Sequence, residues 1–274
     1  MDILQEKYEK LKAELQSYGS AAVAFSGGVD STFLLKTAHD VLGEHTAAVT
    51  SKSRSFPGHE LREALAFCET NGIRQFVCET DELEIPGFSE NPPERCYLCK
   101  KELFTKMSML VKKEGYSELA EGSNLDDDGD YRPGHRAILE LGIKSPLRRA
   151  GLTKADIREL SRELGLPTWD KPSYACLSSR FPYGERITAE KLQMVEAAEQ
   201  YLLERGFRQM RVRMHGGRMA RIEVLPEEIE RLVGMREELN AKFRKLGFLY
   251  VTADLAGFRS GSMNAVLTAE DKRR

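Results

Sequence analysis

The sequence predicts an α/β fold with a parallel sheet, followed by a smaller C-terminal α+β domain. Two observations support this prediction. Short apolar runs alternate with amphipathic segments through the first 125 residues, a pattern typical of parallel strands joined by helices. After residue 172 the pattern changes to a long helix and a hairpin of alternating residues. We therefore expect one domain over residues 1–172 and a second over 173–274.

The individual elements follow from hydrophobic spacing and from Gly and Pro breaks. Apolar residues recur at helical spacing in residues 2–18, whereas 21–25 is a continuous apolar run that ends before two glycines. The same criteria predict further helices at 31–43, 59–72, 100–115, 153–167, 188–206 and 226–247. They predict further strands at 45–51, 74–80, 117–124 and 248–257, and a hairpin at 209–225. Between them, 126–152 is predicted as a charged loop with a short helix, and Thr153 as an N-cap.

Charge and hydropathy exclude two classes of protein. Lys and Arg number 41 and Asp and Glu 43, a net charge of −2, so nucleic-acid binding would need a local basic patch such as the arginines within 208–221. The chain has no apolar run of about 18 residues, the length a membrane span needs. Its charged, helix-forming N-terminus does not have the pattern of a signal peptide. We expect a cytoplasmic protein that does not bind membranes.

Residues 26–31, with the sequence S-G-G-V-D-S, form the most specific motif. Glycines between a strand and a helix let backbone amides approach an anion, and the helix N-terminus favours its charge. The motif is neither a Walker A loop nor G-x-G-x-x-G. It resembles the PP-loop of the N-type ATP pyrophosphatases. That resemblance implies that the loop holds ATP with Mg²⁺ at Asp30, and that a substrate oxygen is adenylated as pyrophosphate leaves.

Polar residues also follow two other predicted strands. The carboxyl ends of parallel strands lie at one edge of a sheet, where ligands bind. Lys36 is expected to be a solvated surface residue, whereas Lys52 and Arg54 are closer candidates for phosphate or adenine contacts, although each is equally typical of plain surface charge. The candidate ATP-binding residues are Ser26, Gly27, Gly28, Asp30, Ser31, Ser51, Lys52, Gly122 and Ser123.

The chain has five cysteines, and an odd number argues against a disulfide framework. Cys96 and Cys99 form a C-x-x-C pair before a predicted helix, which is compatible with a redox pair, half of a zinc site or part of an iron–sulfur cluster. Cys176 is the remaining candidate ligand, and three thiolates can hold a 4Fe–4S cluster with one open iron. Cys68 and Cys78 lie inside a predicted helix and strand, so we expect them to be buried.

The whole chain resembles the LarE family, in segments such as "AFSGGVDS", "PLRRAGLTKADIRELSRELGLP", "ACLSSRFPYG" and "TADLAGFRSGSMN". The resemblance implies adenylation of pyridinium-3,5-biscarboxylic acid mononucleotide and its conversion to a thiocarboxylate, for the nickel-pincer nucleotide cofactor of lactate racemase. One branch of the family sacrifices the sulfur of the cysteine matched by Cys176. A second branch holds a 4Fe–4S cluster on three cysteines. With Cys96, Cys99 and Cys176, this sequence is similar to the cluster branch.

Further site residues combine the pattern with the resemblance. Arg211 and Arg213 alternate on one face of the predicted hairpin, and Ser178, Ser179 and Arg180 follow Cys176. All five are candidates for binding substrate oxygens. Those assigned to the substrate phosphate are Arg211, Arg213, Ser179 and Arg180. The resemblance also implies a divalent-metal role for Glu199 and Glu223. It implies a homo-oligomer, a sulfide donor and partner enzymes of the nickel-pincer pathway.

Three other functions remain open from the sequence. A tRNA thiolase would use nearly the same chemistry, although the net charge of −2 argues against a polyanionic substrate. An amidating ligase would need an ammonia source, and a glutaminase domain does not fit within 274 residues. A non-enzymatic metal-binding module would leave the PP-loop unexplained. If the chain acts as the LarE family does, the alternative to a cluster is that Cys176 gives up its own sulfur.

Overall fold

The computed structural model describes residues 2–129 and 133–268. Among these residues the chain divides into two compact units. The first comprises Met1–Thr80 and Cys96–Tyr174, and the second comprises Asp81–Arg95 and Ala175–Arg274. The second unit therefore includes a short segment from the N-terminal half of the chain, which a single boundary at residue 172 does not anticipate.

A four-stranded parallel sheet forms the centre of the first unit, in the order β3-β2-β1-β4. Its strands are β1 (Ala21–Ala24), β2 (Thr46–Lys52), β3 (Arg74–Glu79) and β4 (Glu118–Ala120). The helices are α1 (Ile3–Ser17), α2 (Val29–Leu42), α3 (Gly58–Thr70), α4 (Arg95–Lys113), α5 (Gly134–Glu140), α6 (Pro146–Arg149) and α7 (Lys154–Glu163). The predicted parallel-sheet α/β fold is confirmed.

The two central strands are buried over most of their length, and β1 is continuously apolar because both of its faces are covered. In β1, Val23 packs in a cluster with Phe33 of α2, whereas its neighbour Ala22 packs in a second cluster with Phe104 of α4. Successive side chains of a strand point to opposite faces. Each face of this sheet is therefore covered by helices, as is usual for parallel sheets.

A smaller sheet organises the second unit, in the order β5-β6-β7. Its strands are β5 (Met210–His215), β6 (Met219–Val224) and β7 (Tyr250–Ala253), and its helices are α8 (Ala189–Glu204), α9 (Ile229–Gly234) and α10 (Arg236–Lys245). Strands β5 and β6 form the predicted hairpin, whose turn contains Gly216 and Gly217 at φ of 55° and 79°. Positive φ is readily adopted only by glycine. Strand β7 pairs in parallel with β6.

Short 3₁₀ helices complete the described structure, at Gly43–His45, Glu82–Glu84, Leu125–Gly129, Leu177–Arg180, Pro226–Glu228 and Ser262–Val266. In the part of the chain described here, no helix has the length and apolar character required to cross a membrane.

Two predicted helices differ in their extent. Helix α4 begins at Arg95, five residues before the predicted start at 100, so Cys96 and Cys99 lie in its first turns rather than before it. The predicted helix at 226–247 is interrupted at Met235, which joins α9 to α10 with φ −93° and ψ 13°. Gly234 at the end of α9 weakens the helix at this point, because glycine has low helix propensity.

Helix α7 has the predicted N-cap at Thr153. The Asp156 amide donates to Thr153 Oγ1 at 3.2 Å, and the Thr153 amide donates to Asp156 Oδ2 at 2.9 Å, so the two residues form a reciprocal capping box. We expect Thr153→Ala to lower the free energy of unfolding by about 1 kcal/mol in urea titrations. Thr153→Ser should retain most of it, and an equal loss in both variants would contradict the capping role.

Candidate active site

The loop at residues 26–31 joins β1 to α2 and is held in a tight curl by its own serines. Ser31 Oγ lies 3.1 Å from Ser26 Oγ, accepts from the Ser26 amide at 3.3 Å and donates to the Gly28 carbonyl at 3.2 Å. Gly27 has a φ of +71°, and Gly28 is the N-cap of the 14-residue helix α2. This loop therefore presents helix N-terminal amides, an arrangement that binds phosphate.

Gly122 allows the end of β4 to pack against the loop. A Cβ atom at Gly122 would lie 3.2 Å from the Ser31 amide nitrogen and 3.3 Å from Asp30 Cβ. These distances are shorter than ordinary carbon contacts of about 3.5–4.0 Å. The predicted residues Asp30, Ser31 and Gly122 are therefore brought together at one sheet edge.

Asp30 contacts a cation and an amide within the first unit. Its Oδ2 is ion-paired with Lys154 Nζ at the start of α7, and its Oδ1 accepts from Asn124 Nδ2 at 3.2 Å. About a quarter of the Asp30 side chain (24%) is exposed. A partly exposed carboxylate that already holds an ammonium group has the chemistry to bind Mg²⁺.

Lys171 also holds the loop, through the Gly27 carbonyl and two glutamates. Its Nζ donates to the Gly27 carbonyl at 3.0 Å, to Glu60 Oε2 at 2.8 Å and to Glu63 Oε2 at 2.7 Å. Burial raises the pKa of Glu60, but the neighbouring His59 and Lys171 outweigh burial and leave that pKa below its ordinary value. Glu60 is thus an anion that fixes the ammonium group beneath the loop.

The other predicted ATP-binding residues have local partners. Ser51 Oγ lies 3.4 Å from Thr80 Oγ1, and Lys52 Nζ is paired with Glu79 Oε1 at 2.8 Å across β2 and β3. Ser123 Oγ donates to the Glu121 carboxylate at 2.8 Å. The weaker candidate Lys36 is ion-paired with Asp40 on the surface of α2, which fits a solvated residue.

Cys176 lies in the second unit as the exposed N-cap of the 3₁₀ helix Leu177–Arg180. The neighbouring Arg180 is fully buried and bonds to the backbone of this loop: its Nη1 donates to the Ala175 carbonyl at 3.1 Å and to the Cys176 carbonyl at 3.3 Å. The same nitrogen donates to Ser179 Oγ at 2.7 Å. Arg180 therefore supports the backbone below an exposed thiol.

The charge of Arg180 is balanced by Glu199 on α8. Arg180 Nε and Nη2 donate to the two oxygens of Glu199 at 2.7 and 2.8 Å, and the Val212 amide adds a third bond to Glu199 Oε1 at 2.8 Å. Burial raises the pKa of Glu199, but the charges and hydrogen bonds of Arg180 and Arg211 and of the Val212 amide outweigh it, so that pKa is lowered.

Arg213 pairs with Glu223 in the same way as Arg180 pairs with Glu199. Its Nε and Nη2 donate to the two Glu223 oxygens at 3.1 and 3.0 Å, and its Nη1 donates to the Ser179 carbonyl at 2.7 Å. Arg221 also pairs with Glu223 at 3.0 Å. Arg211 is buried, with Nη1 2.6 Å from the Met210 carbonyl. Ser179 and Arg180 thus lie within the Cys176 loop itself, whereas Glu199 lies on α8, and Arg211, Arg213 and Glu223 lie on the hairpin of β5 and β6.

The remaining cysteines occupy two kinds of environment. Cys96 and Cys99 are half-buried at the start of α4. Cys68 and Cys78 are buried as predicted, and burial raises the pKa of the Cys68 thiol to about 12. Within residues 2–129 and 133–268, no group of three or more His, Cys, Asp or Glu side chains is arranged to hold a metal ion. The cluster and the divalent-metal roles of Glu199 and Glu223 stay predictions.

Local pattern did not indicate two of these functional contacts. Lys154 and Lys171 meet the loop through partners at least 124 positions away in the chain. Lys154 follows a recognisable N-cap, but nothing in a single sequence links that position to Asp30. A charge of opposite sign near each strand end is the only available signal, and many surface residues share it.

Comparison with known proteins identifies the family. No protein-family model matches the chain. A pyridinium-3,5-bisthiocarboxylic acid mononucleotide synthase of Lactiplantibacillus plantarum is 39% identical, with 98% of this chain and 97% of that protein covered. The chain belongs to the LarE family. An uncharacterized protein of Synechocystis sp. is 46% identical over 97% of this chain and 100% of its own length.

A more distant similarity extends to tRNA-modifying enzymes. The tRNA-specific 2-thiouridylase MnmA of Rhizobium etli is 28% identical, over 65% of this chain and 54% of its own length. This similarity supports the PP-loop superfamily predicted from S-G-G-V-D-S.

The paired charges of the second unit lead to a stability prediction. Glu199→Ala leaves the Arg180 guanidinium buried without its carboxylate, so we expect the free energy of unfolding to fall by about 3–5 kcal/mol. Glu190→Ala, at an exposed position of the same helix, is the matched control. Urea titrations that give equal losses for the two variants would contradict a stabilising pair.

The lowered pKa of Glu199 also fixes the pH dependence of that stability. A carboxyl group with a depressed folded-state pKa stabilises the fold above its unfolded pKa, about 4.5, and loses this contribution as pH falls through the folded value. We expect the stability difference between wild type and Glu199→Gln to be largest near pH 7 and to shrink in acid below pH 4.5. A difference that is independent of pH would contradict an ionised Glu199.

Proposed function

We propose that the chain is an ATP-dependent sulfurtransferase that converts pyridinium-3,5-biscarboxylic acid mononucleotide to its thiocarboxylate. AMP and pyrophosphate are the other products. The observation that carries the proposal is the curled loop at residues 26–31, which contains Asp30 and lies in a chain of the LarE family. The named relative from L. plantarum makes the corresponding bisthiocarboxylic acid product.

The first unit has the groups that adenylation requires. The amides at the start of α2 are placed to bind the phosphate groups of ATP, and Asp30, which is paired with Lys154, would hold Mg²⁺ beside them. The metal, when bound, offsets charge on the phosphates. Lys171 Nζ donates to the Gly27 carbonyl and so holds this part of the loop in place. A carboxylate oxygen of the substrate attacks the α-phosphorus, pyrophosphate leaves, and the acyl adenylate becomes open to attack by sulfur.

The second unit has an exposed thiol on a fixed backbone. We propose that Cys176 is the sulfur-transfer residue, and that Arg180 positions its loop through the Ala175 and Cys176 carbonyls. We assign Arg211 and Arg213, with Ser179, to the substrate phosphate on the family resemblance; Arg213 Nη1, which donates to the Ser179 carbonyl at 2.7 Å, would have to release that carbonyl to bind it. The guanidinium donors of Arg180 face protein acceptors, which favours a positioning role over phosphate contact.

A 4Fe–4S cluster is proposed on Cys96, Cys99 and Cys176. The donor set suits it, since Cys96 and Cys99 are three residues apart at the start of α4 and therefore share a helix face. Held by these three thiolates, such a cluster would supply an iron site for inorganic sulfide. The alternative is that Cys176 gives up its own sulfur. The two versions differ in what happens to the mass of the protein.

A second candidate is thiolation of tRNA. The 28% identity to a tRNA-specific 2-thiouridylase over 65% of the chain favours it, and five arginines lie within 208–221. The net charge of −2 argues against it. We further propose a cytoplasmic homo-oligomer that receives sulfide from a donor and passes its product to nickel-pincer pathway enzymes.

Pyrophosphate exchange tests the adenylation step. Labelled pyrophosphate should enter ATP only when the biscarboxylic nucleotide is added, because exchange requires a reversible acyl adenylate. Cys176→Ala should retain this exchange, since the thiol is not needed to form the adenylate. Exchange that depends on tRNA instead would favour the thiolase function and contradict the proposal.

A further inference from the structure

The segment Asp81–Arg95 belongs to the second unit and reaches the Cys176 loop. Arg95 is only 2% exposed. Its Nη1 donates to the Ser178 carbonyl at 2.8 Å and also to Asn91 Oδ1. Its guanidinium lies 5.9 Å from the centroid of the Tyr183 ring. A buried guanidinium therefore connects this segment to the residue two positions after Cys176.

Asn91 holds the backbone that follows the Cys176 loop, at residues 181–184. Its Nδ2 donates to the Phe181 and Pro182 carbonyls at 3.1 and 2.6 Å, and its own carbonyl accepts from the Gly184 amide at 2.9 Å. Asn91 is fully buried and has a φ of +55°. A non-glycine residue in this region is uncommon, and such conformations persist where surrounding contacts hold them in place.

Three buried arginines together hold the backbone around Cys176. Arg180 binds the Ala175 and Cys176 carbonyls, Arg95 binds that of Ser178, and Arg213 binds that of Ser179. These carbonyls are therefore tied to the interior of the unit, whereas the Cys176 side chain is exposed. Guanidinium groups suit this role because their donors are planar and permanently charged.

We propose that Arg95, supported by Asn91, is a positioning residue that fixes the Cys176 loop for sulfur transfer. It acts through the Ser178 carbonyl. The consequence for sulfur transfer rests on the proposed function, but the consequence for the loop does not. Misplacement of a reacting group by a small distance lowers rate rather than affinity.

Hydrogen–deuterium exchange measures the loop directly. In Arg95→Met, the amides of Ser179 and Gly184 should exchange about tenfold faster or more, because the Ser178 and Asn91 contacts near them are lost, while peptides from the first unit stay unchanged. Arg236→Met, at an exposed arginine of the same unit, is the control and should leave the loop unchanged. Equal protection in the two variants would overturn the proposal.

Kinetics separate positioning from a general structural role. Arg95→Met should lower kcat for sulfur transfer by about 10- to 100-fold, with the KM for ATP and pyrophosphate exchange unchanged. Arg95→Lys, which keeps one cationic donor, should recover much of the loss. The positioning role would be overturned if pyrophosphate exchange fell as much as sulfur transfer, or if Arg95→Lys recovered none of the loss.

Asn91→Gly keeps the test informative if Arg95→Met does not fold. Glycine accepts the positive φ of this position but lacks the amide that binds Arg95, Phe181 and Pro182. Asn91→Gly should reproduce the faster hydrogen–deuterium exchange of the amides around Cys176. Unchanged hydrogen–deuterium exchange would contradict the role of Asn91 in holding the loop. If wild type transfers no sulfur at all, the proposed function fails. The hydrogen–deuterium exchange measurement still decides whether Arg95 and Asn91 hold the loop.

Discussion

Asp30→Ala is expected to abolish pyrophosphate formation from ATP while leaving the protein folded. The carboxylate lies at the start of α2 and is partly exposed, so its loss removes the metal-binding oxygen without opening a cavity. Loss of one preorganised charged contact at a reacting phosphate costs about 100-fold or more in rate. The measurement is pyrophosphate release in the presence of the biscarboxylic nucleotide.

The matched control for this variant is Asp40→Ala. Asp40 lies on the same helix and is also ion-paired with a lysine, Lys36, but that pair is on the helix surface. It should retain wild-type activity. Full activity in Asp30→Ala, or wild-type cleavage of ATP to ADP and phosphate, would contradict the pyrophosphatase role of the loop.

Cys176→Ala is expected to abolish thiocarboxylate formation but retain pyrophosphate exchange. Cys96→Ala and Cys99→Ala then separate the two sulfur sources. If the three cysteines hold a cluster, each variant loses both iron and sulfur transfer, and wild type turns over repeatedly with added sulfide at unchanged protein mass. The measurements are anaerobic iron determination, product analysis and intact-protein mass spectrometry.

The opposite outcome is equally specific. A single turnover that converts residue 176 to dehydroalanine would remove one sulfur from the polypeptide, and Cys96→Ala would then remain active. That result would contradict the cluster mechanism and support sacrifice of Cys176. Cys68→Ala is the control, because Cys68 is buried in the core of the first unit and should not affect either mechanism.

Local pattern was sufficient where one element determines the structure. The apolar run of β1, the two glycines and the start of α2 are contiguous, so the loop and its position followed from the sequence. Thr153 and Asp156 are likewise three residues apart, and their capping box was predictable. The start of α4 was not, because Arg95 begins this helix while its side chain bonds to Ser178, a residue distant in the chain.

Charged residues were the least predictable part of the site. Arg180 and Glu199 were predicted as separate ligand groups, for phosphate and metal, yet both are buried and bound to each other. A buried charge needs a partner of opposite sign, but periodicity does not reveal which residue will provide it. The same limit hid the contacts of Lys154, Lys171 and Arg95, whose partners lie far away in the sequence.

The central claim is that sulfur replaces a carboxylate oxygen of the nucleotide at the expense of ATP. The most direct measurement is mass spectrometry of pyridinium-3,5-biscarboxylic acid mononucleotide after anaerobic incubation with the protein, ATP, Mg²⁺ and sulfide. We expect a product in which sulfur has replaced oxygen, formed together with AMP and absent with Asp30→Ala. An unchanged nucleotide beside thiolated tRNA, in a parallel reaction containing tRNA, would contradict it.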